Sequence, residues 1–381
     1  HMFDYETLKL VWWVLIGVLL IGFALTDGFD MGAMALMPFV GKTDNERRVA
    51  INTIAPHWDG NQVWFITAGG ALFAAWPMVY ATAFSGLYWA MLLVLFGLFC
   101  RPVGFDYRSK LDNPRWRGTW DWALFVGGAV PALLFGVAFG NLLLGLPFRL
   151  DGFMRASFEG SFFSLLHPFA LLAGLVSLSM LCAHGGAWLM LRTDADLHQR
   201  SRLATRLCAL VFLIAFIAAG AWLASGMPGF RLVGGFPDLG AALNPLHKQV
   251  ALDNVGWLAN YRLYPLTLAA PLLGIAGGLL AALGAQLNRG ALAFLGSSLA
   301  IVGTICTAGF ALFPFIMPSS IDPASSLTMW DAVSSRKTLG VMLAVACVFV
   351  PLILAYTLWC YLRMWGRLTN KTIEANPHGL Y

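Results

Sequence analysis

Three carboxylates lie inside stretches of sequence that are otherwise apolar. Asp27 and Asp30 are spaced i, i+3, which places them on one face of a helix, and Asp59 follows in the next apolar stretch. A carboxylate in such surroundings is costly unless it is paired or hydrated, and a buried one can take up and release a proton. These residues therefore indicate a proton path or a site for a polar headgroup.

The composition shows which solvent surrounds these carboxylates. Apolar residues make up 59% of the 381 residues and charged residues only 11%, whereas a soluble domain is roughly a quarter charged. Most of the exterior must therefore face lipid, and a helix needs about 20 apolar residues to cross a bilayer core. The net charge of +5 is modest, and the Lys and Arg residues lie between apolar runs, which indicates topology rather than nucleic-acid binding.

We predict an all-α integral membrane protein that forms a single polytopic domain over residues 1–381. Nine transmembrane helices are predicted, at residues 7–40, 47–75, 78–100, 120–144, 161–191, 203–225, 263–287, 290–314 and 338–363. The first is too long for a cleavable signal peptide and lacks a small-residue cleavage site. A segment rich in Gly, Pro and Asn at about 226–262 is predicted to form an external cap.

The second span has poor hydropathy, because it contains Pro56 and several polar residues, and charge asymmetry tests it. With nine helices, 16 of the 24 Lys and Arg residues fall on one side of the membrane and 8 on the other; without the second span the split is 14 to 10. The sharper split favours nine helices. Since basic residues are retained in the cytoplasm, we predict a periplasmic N-terminus and a cytoplasmic C-terminus.

The polar residues of the first three spans are predicted to form one cluster. Asp30 precedes the first turn by about ten residues and Asp59 follows it by about twelve, so at about 1.5 Å per residue the two are predicted to meet side by side. The candidate site consists of polar and aromatic residues from these three spans: Asp27, Asp30, His57, Trp58, Asp59, Asn61 and Arg101. It would conduct protons or bind a quinone headgroup. The alternative is a purely structural polar cluster in which Asp and Arg neutralise each other and fix the helix register.

Haem ligation requires His, Met or Cys at membrane depth. The candidates are His57, His167 and His184, and the last lies in an Ala-His-Gly-Gly motif whose small residues would admit a cofactor. The alternative is a buried histidine that is hydrogen-bonded within the protein. The sequence contains no Cys-x-x-Cys-His motif, and its six cysteines lie mostly in or beside apolar runs. We therefore predict no metal site and no catalytic residue in this chain.

Five motifs resemble the second subunit of the cytochrome bd ubiquinol oxidases. They are Asp27-Gly-Phe-Asp-Met-Gly32, Pro56-His-Trp-Asp-Gly-Asn-Gln-Val-Trp64, Gly69-Gly-Ala-Leu-Phe-Ala-Ala-Trp-Pro77, Arg101-Pro-Val-Gly-Phe-Asp-Tyr-Arg108 and Phe313-Pro-Phe-Ile-Met-Pro-Ser-Ser320. The resemblance covers nearly the whole chain, and motifs of this length are specific. The family's polar cluster matches Asp30, Trp58, Asp59 and Arg101 of this sequence.

The resemblance implies a heterodimeric respiratory complex in the bacterial inner membrane. Such a complex oxidises ubiquinol on the outer side, reduces oxygen to water with cytoplasmic protons, and generates a proton motive force without pumping. The b-type and d-type haems belong to the larger subunit I. Subunit II, with two four-helix bundles plus one peripheral helix, supports assembly and haem placement and can hold a structural quinone among the surrounding lipids. Some members carry small accessory subunits.

Two alternatives to the oxidase subunit stay open. One is a secondary transporter or proton channel that uses Asp27, Asp30 and Asp59 as its relay. Broken helices at corresponding positions of two halves would support it, and the sequence has only one span interrupted by Pro and Gly, in the first half. The other is a chain that ligates haem itself through His184 or His57.

Overall fold

The structure is a computed structural model that describes residues 4–234, 244–254, 256–363, 366–369, 372–373 and 381, without the side chains of His57, Asp59 and Gly60. Its helices are α1 Tyr5–Val40, α2 Asp44–Ile54, α3 Trp58–Ala75, α4 Pro77–Gly86, α5 Tyr88–Tyr107, α6 Pro114–Leu144, α7 Pro168–Arg192, α8 Ala195–Ser225, α9 Ala259–Leu263, α10 Ala269–Gln286, α11 Gly290–Leu312 and α12 Arg336–Arg363. The strands are β1 Phe148–Leu150, β2 Ala156–Phe158, β3 Gly229–Gly234, β4 Gln249–Asp253, β5 Phe315–Met317 and β6 Leu327–Thr328.

The number of membrane-spanning helices agrees with the prediction. Across the described ranges, eight helices are long and apolar enough to span a bilayer. A ninth span is obtained if α3 and α4 are counted together, although they are bent by 117° between Ala75 and Pro77. The bend occurs because Pro77 is the first residue of α4 and Trp76, before it, has a non-helical backbone.

Two spans that were predicted as continuous helices are broken in the structure. Residues 47–75 are divided into α2, a 3-10 turn at Ala55–His57 and α3, because Pro56 has no N–H to continue the helix. Residues 78–100 are divided at Leu87 into α4 and the longer α5, which continues past Arg101 to Tyr107. The predicted span 161–191 also begins later than expected, because His167 caps α7 and Pro168 is its first residue.

The spanning helices form two groups of four and one peripheral helix. In the first group, α1 packs against α3 and α6, and α6 packs against α5; the second group contains α7, α8, α10 and α11. The groups meet where α7 packs against α1 and α6. The last helix, α12, lies outside both groups against α3 and α1, and only 6% of its most apolar segment is buried within this chain.

Glycines allow the two groups to approach closely. A Cβ atom added to Gly32 of α1 would lie 1.8 Å from the carbonyl oxygen of Leu181 on α7, and one added to Gly185 would lie 2.2 Å from the Ala33 nitrogen. Gly136 and Gly140, which the sequence presents as a small-xxx-small pair, likewise contact α7. These contacts fix the position of α1, which carries Asp27 and Asp30.

The two ends of the bundle differ in character. We call one the basic end; it contains the turns at residues 41–43, 108–113, 193–194 and 287–289. At the other, the cap end, the pairs β1–β2, β3–β4 and β5–β6 form three antiparallel hairpins. Part of the predicted cap at 226–262 is described as β3, β4 and α9, whereas residues 235–243 and 255 lie outside the described residues.

Candidate functional site

The centre of the first helix group contains a buried ion pair. Arg101 of α5 donates Nη1 and Nη2 to the two carboxylate oxygens of Asp27 at 2.8 and 3.0 Å, and both residues are 0% exposed. This two-point geometry is the strongest form of an Arg–carboxylate contact. The sequence predicted that Arg101 belongs to the site, and the structure shows that its partner is Asp27.

The second carboxylate of α1 has fewer partners. Asp30 is also 0% exposed, and its Oδ2 accepts a hydrogen bond of 2.8 Å from the side-chain amide of Asn61 on α3. The carbonyl oxygen of that amide accepts a hydrogen bond from the Tyr361 hydroxyl of α12. Among the described side chains, none bonds to Oδ1 of Asp30. A chain of contacts therefore runs from α12 through α3 to a half-satisfied carboxylate.

Trp58 places the first turn of α3 against the ion pair. Its ring lies 5.8 Å from the guanidinium carbon of Arg101, which is within the range of a cation–π contact. Two further buried donors at this site, Trp58 Nε1 and Arg101 Nε, have no hydrogen-bond partner within the described part of the chain. Unpaired buried polar atoms are rare in native proteins, and a cluster of them indicates a bound molecule or water.

Two predicted site residues, His57 and Asp59, are described by their backbone alone. The backbone of His57 belongs to the 3-10 turn and that of Asp59 to α3, but both side chains lie outside the described residues. The contact between Asn61 and Asp30 does place the first turn of α3 at the level of Asp30 on α1. That Asp59 meets Asp30 stays a prediction.

Two of the three histidines considered as haem ligands, His167 and His184, have partners within this chain. His184 is 0% exposed; its Nε2 lies 2.8 Å from the Leu25 carbonyl oxygen and its Nδ1 lies 2.7 Å from the Ser297 hydroxyl. With both nitrogens bonded, His184 matches the hydrogen-bonded alternative. His167 is exposed and uses Nδ1 to accept from the Phe169 N–H at the start of α7. No group of three or more His, Cys, Asp or Glu residues that could hold a metal ion occurs in the described ranges.

A network of charges at the basic end was missed by the sequence reasoning. Asp121 of α6 is 1% exposed and accepts from Arg108 and from Arg47, the latter at 2.7 Å. Arg108 also donates to Asp44 at 2.9 Å. Asp121 stands between Trp120 and Trp122 in the sequence, and no sequence pattern identified it as buried. The network connects α2, α6 and the turn after α5.

Another basic-end carboxylate, Glu46, completes a capping box at the start of α2. Its carboxylate accepts from the backbone N–H of Thr43 at 3.1 Å, and the backbone N–H of Glu46 in turn donates to the hydroxyl oxygen of Thr43. Burial raises the pKa of the Glu46 carboxyl, but hydrogen bonds from Arg200 and from the Lys42 and Thr43 N–H groups outweigh burial and lower the pKa below its usual value of 4.5. Glu46 therefore remains ionised at neutral pH.

A large apolar cavity of 390 Å³ lies between the two helix groups. Its wall includes Ala24 and Met31 of α1, which lie one turn before and one turn after Asp27, and Phe65 of α3, one turn after Asn61. Thr304 of α11 also lines it, and its hydroxyl has no hydrogen-bond partner among the described groups. The cavity is in the size range of sites for small apolar ligands.

Comparison with known proteins gives a consistent result along the whole chain. The sequence model of the family "Cytochrome bd terminal oxidase subunit II" matches residues 8–364. Cytochrome bd-I ubiquinol oxidase subunit 2 of Escherichia coli (strain K12) is 56% identical over 380 residues, covering 100% of both chains. Cytochrome bd ubiquinol oxidase subunit 2 of Bacillus subtilis (strain 168) is 31% identical over 365 residues, 95% of this chain and 97% of the relative.

The fold agrees with these sequence relationships. The structure of bd oxidase from Geobacillus thermodenitrificans contains a chain that superimposes with a TM-score of 0.67 at 14% identity, covering 94% of this chain and 99% of that one. The chain belongs to the cytochrome bd terminal oxidase subunit II family. It is thus a multi-span membrane subunit of a respiratory terminal oxidase, an oxidoreductase complex, and subunit I is its implied partner.

Proposed function

We propose that this chain is the haem-free partner that supports the haem-bearing subunit I of the oxidase. In the complex, the b-type and d-type haems of subunit I would carry electrons from ubiquinol to oxygen. The hydrogen bonds of His184 support this division, because each ring nitrogen already has a partner in this chain. The 6% burial of the most apolar segment of α12 supports it as well, because a helix so little covered by its own chain is available to a neighbour.

The polar site is proposed to bind the headgroup of a structural quinone. The observation that carries this proposal is that the fully buried Oδ1 of Asp30 has no hydrogen-bond partner among the described residues, and neither have Trp58 Nε1 and Arg101 Nε of the same site. A protonated Asp30 would donate to a quinone carbonyl, and Asn61 would hold the carboxyl in position through Oδ2. The adjacent cavity of 390 Å³ would accept part of the isoprenoid tail. The quinone would supply a redox-active ring, but its role here is structural.

Substitutions at Asp30 test the quinone site directly. Asp30→Asn keeps a donor of the same shape, so the purified complex should retain its quinone; Asp30→Leu removes the donor, so most of the quinone should be lost. The measurement is the quinone content per haem after solvent extraction. Asp106→Asn, which changes an exposed carboxylate of α5, is the matched control. Full quinone content in Asp30→Leu would contradict the proposal.

A second role, a proton path from the cytoplasm, is favoured by the same unpaired oxygen. A fully buried carboxylate with one free oxygen can take up a proton and pass it on, whereas Asn cannot. Asp30→Asn therefore separates the two roles. If the Asp30→Asn complex keeps its quinone and consumes oxygen at the normal rate, Asp30 serves headgroup binding alone. If it keeps its quinone but takes up protons more slowly, Asp30 belongs to the proton path.

The orientation of the chain is part of the proposal. The excess of Lys and Arg at the basic end supports a cytoplasmic basic end, a periplasmic cap end and a periplasmic N-terminus in the bacterial inner membrane. Alkaline phosphatase folds into an active enzyme only outside the cytoplasm. Its fusion within the α1–α2 turn at residues 41–43 should be inactive, and its fusion before α1 should be active. The reverse pattern would contradict this topology.

A further inference from the structure

A groove on the outer surface of α8 and α10 is apolar along its length and polar at one end. Exposed leucines form its walls: Leu210 on α8 is 44% exposed, and Leu279 and Leu283 on α10 are 56% and 49% exposed. Arg206 and Gln286 line it at the basic end. From Gln286 to Leu279 the groove follows seven residues of α10, or about 10 Å at 1.5 Å per residue.

Two arginines are concentrated at the polar end of this groove. Arg202 and Arg206 lie one turn apart on α8, and Arg202 donates to the carbonyl oxygens of Ala285 and Gln286, both at 2.6 Å. Arg206 donates Nη1 to the Gln286 side chain at 2.8 Å. Neither arginine forms an ion pair with a carboxylate in the part of the chain that the structure describes. The carbonyl oxygens at the α10 C-terminus and the side chains of Gln199 and Gln286 offset these charges in part.

We propose that this groove binds one anionic phospholipid. The phosphate would bridge Arg206 and Arg202, and an acyl chain would follow Leu283 and Leu279 toward the centre of the membrane. The charge pattern fits such a lipid, because the cationic groups occur only at the end where headgroups lie. The predicted orientation places this end in the cytoplasmic leaflet, where anionic lipids attract basic residues near the surface. The proposal does not depend on the quinone site.

The structure favours a lipid over a free phosphate ion. A phosphate ion would use the arginines alone and leave the leucines exposed, whereas a phospholipid covers both. Arg206 has donors beyond Nη1 for which the described residues provide no acceptor. An arginine fork of this kind matches two phosphate oxygens.

Native mass spectrometry of the complete oxidase complex tests the proposal. The complex is titrated with dioleoylphosphatidylglycerol or with dioleoylphosphatidylcholine, and retained lipid is counted. We expect one tightly retained phosphatidylglycerol, and about five-fold weaker retention in each of Arg202→Gln and Arg206→Gln, with phosphatidylcholine unaffected. Arg115→Gln, an exposed arginine at the start of α6 at the same end, is the control and should behave as wild type.

Two further measurements make the test selective for a lipid. Leu283→Trp should fill the groove and weaken phosphatidylglycerol retention while both arginines remain, and glycerol 3-phosphate, which has no acyl chains, should fail to compete. Equal retention of the two lipids, an equal effect of Arg115→Gln, or effective competition by glycerol 3-phosphate would overturn the proposal. So would a photoreactive residue at position 283 that cross-links to another polypeptide of the complex instead of lipid.

Discussion

Two carboxylates three residues apart on α1, Asp27 and Asp30, have the same burial and different partners. Each is 0% exposed, but both oxygens of Asp27 are held by Arg101, whereas one oxygen of Asp30 is held by Asn61 and the other has no partner among the described groups. The two-point pair between Asp27 and Arg101 fixes α1 against α5. Asp30 has a free oxygen for a proton or a ligand.

The largest effect is expected from the removal of one member of the Asp27–Arg101 ion pair. Arg101→Met leaves the Asp27 charge buried and unpaired, which typically destabilises a protein by about 3–5 kcal/mol. We expect a markedly lower thermal unfolding temperature of the complex, or poor assembly. The double variant Asp27→Leu with Arg101→Met removes both charges and should recover most of the loss. A double variant as unstable as the single one would show that the ion pair is not the cause.

The next effect concerns the helix crossing that positions both carboxylates. Gly32→Ala places a methyl group 1.8 Å from the Leu181 carbonyl oxygen, and overpacking of this kind costs about 1–3 kcal/mol. The thermal unfolding temperature and the quinone content should fall together, because α1 must move away from α7. Gly69→Ala is the control, since an added Cβ there meets nothing within 4 Å. A loss of equal size in the control would contradict the close crossing.

A smaller effect is expected on the side of Asp30. Tyr361→Phe removes the hydroxyl that donates to Asn61, and the net contribution of one such hydrogen bond is about 1 kcal/mol. The thermal unfolding temperature should fall slightly, and quinone retention should fall more, because the amide that holds Asp30 becomes less well fixed. Tyr356→Phe, on the same helix, provides a comparison at a half-exposed position. Equal quinone content in Tyr361→Phe and Tyr356→Phe would show that the Tyr361 hydroxyl does not support the quinone site.

The smallest effect extends the comparison to a carboxylate outside the spanning helices. Since the pKa of Glu46 is lowered on folding, its contribution to stability is present above the usual value of 4.5 and is lost as the pH falls through the folded value. Glu46→Gln should cost about 0.5 kcal/mol at neutral pH, because the pair with Arg200 is partly exposed and Gln can keep the capping-box contact. The difference in thermal unfolding temperature between wild type and Glu46→Gln should become smaller as the pH falls from 7 to 4. A difference that becomes larger would contradict the lowered pKa of Glu46.

Much of the architecture could be predicted from hydropathy and charge alone. The number of spans followed from apolar runs and from the distribution of Lys and Arg. The breaks at Pro56 and at Trp76–Pro77 did not, because hydropathy and charge do not detect backbone geometry. Residues 47–54 of α2 were assigned to a span because the distribution of Lys and Arg favoured nine helices.

Which residues lie close to one another was easier to predict than which of them form hydrogen bonds. The depth argument placed Asp30 level with Asp59; in the structure Asn61, two residues after Asp59, contacts Asp30. Which carboxylate Arg101 would choose depends on side-chain directions that spacing does not determine. Tyr361 contacts Asn61 across 300 positions of sequence and is one of 9 tyrosines, so only the packing of α12 against α3 reveals it.

The most direct test compares Asp27→Asn with Asp30→Asn in the assembled oxidase, by thermal unfolding in the same detergent. The account predicts that Asp27→Asn unfolds at a clearly lower temperature, because Arg101 loses its charged partner and a buried unpaired charge costs about 3–5 kcal/mol. It predicts that Asp30→Asn stays close to wild type, because the change introduces no unpaired charge. Equal destabilisation by the two substitutions, or a larger loss from Asp30→Asn, would contradict the division between a structural pair and a functional carboxylate.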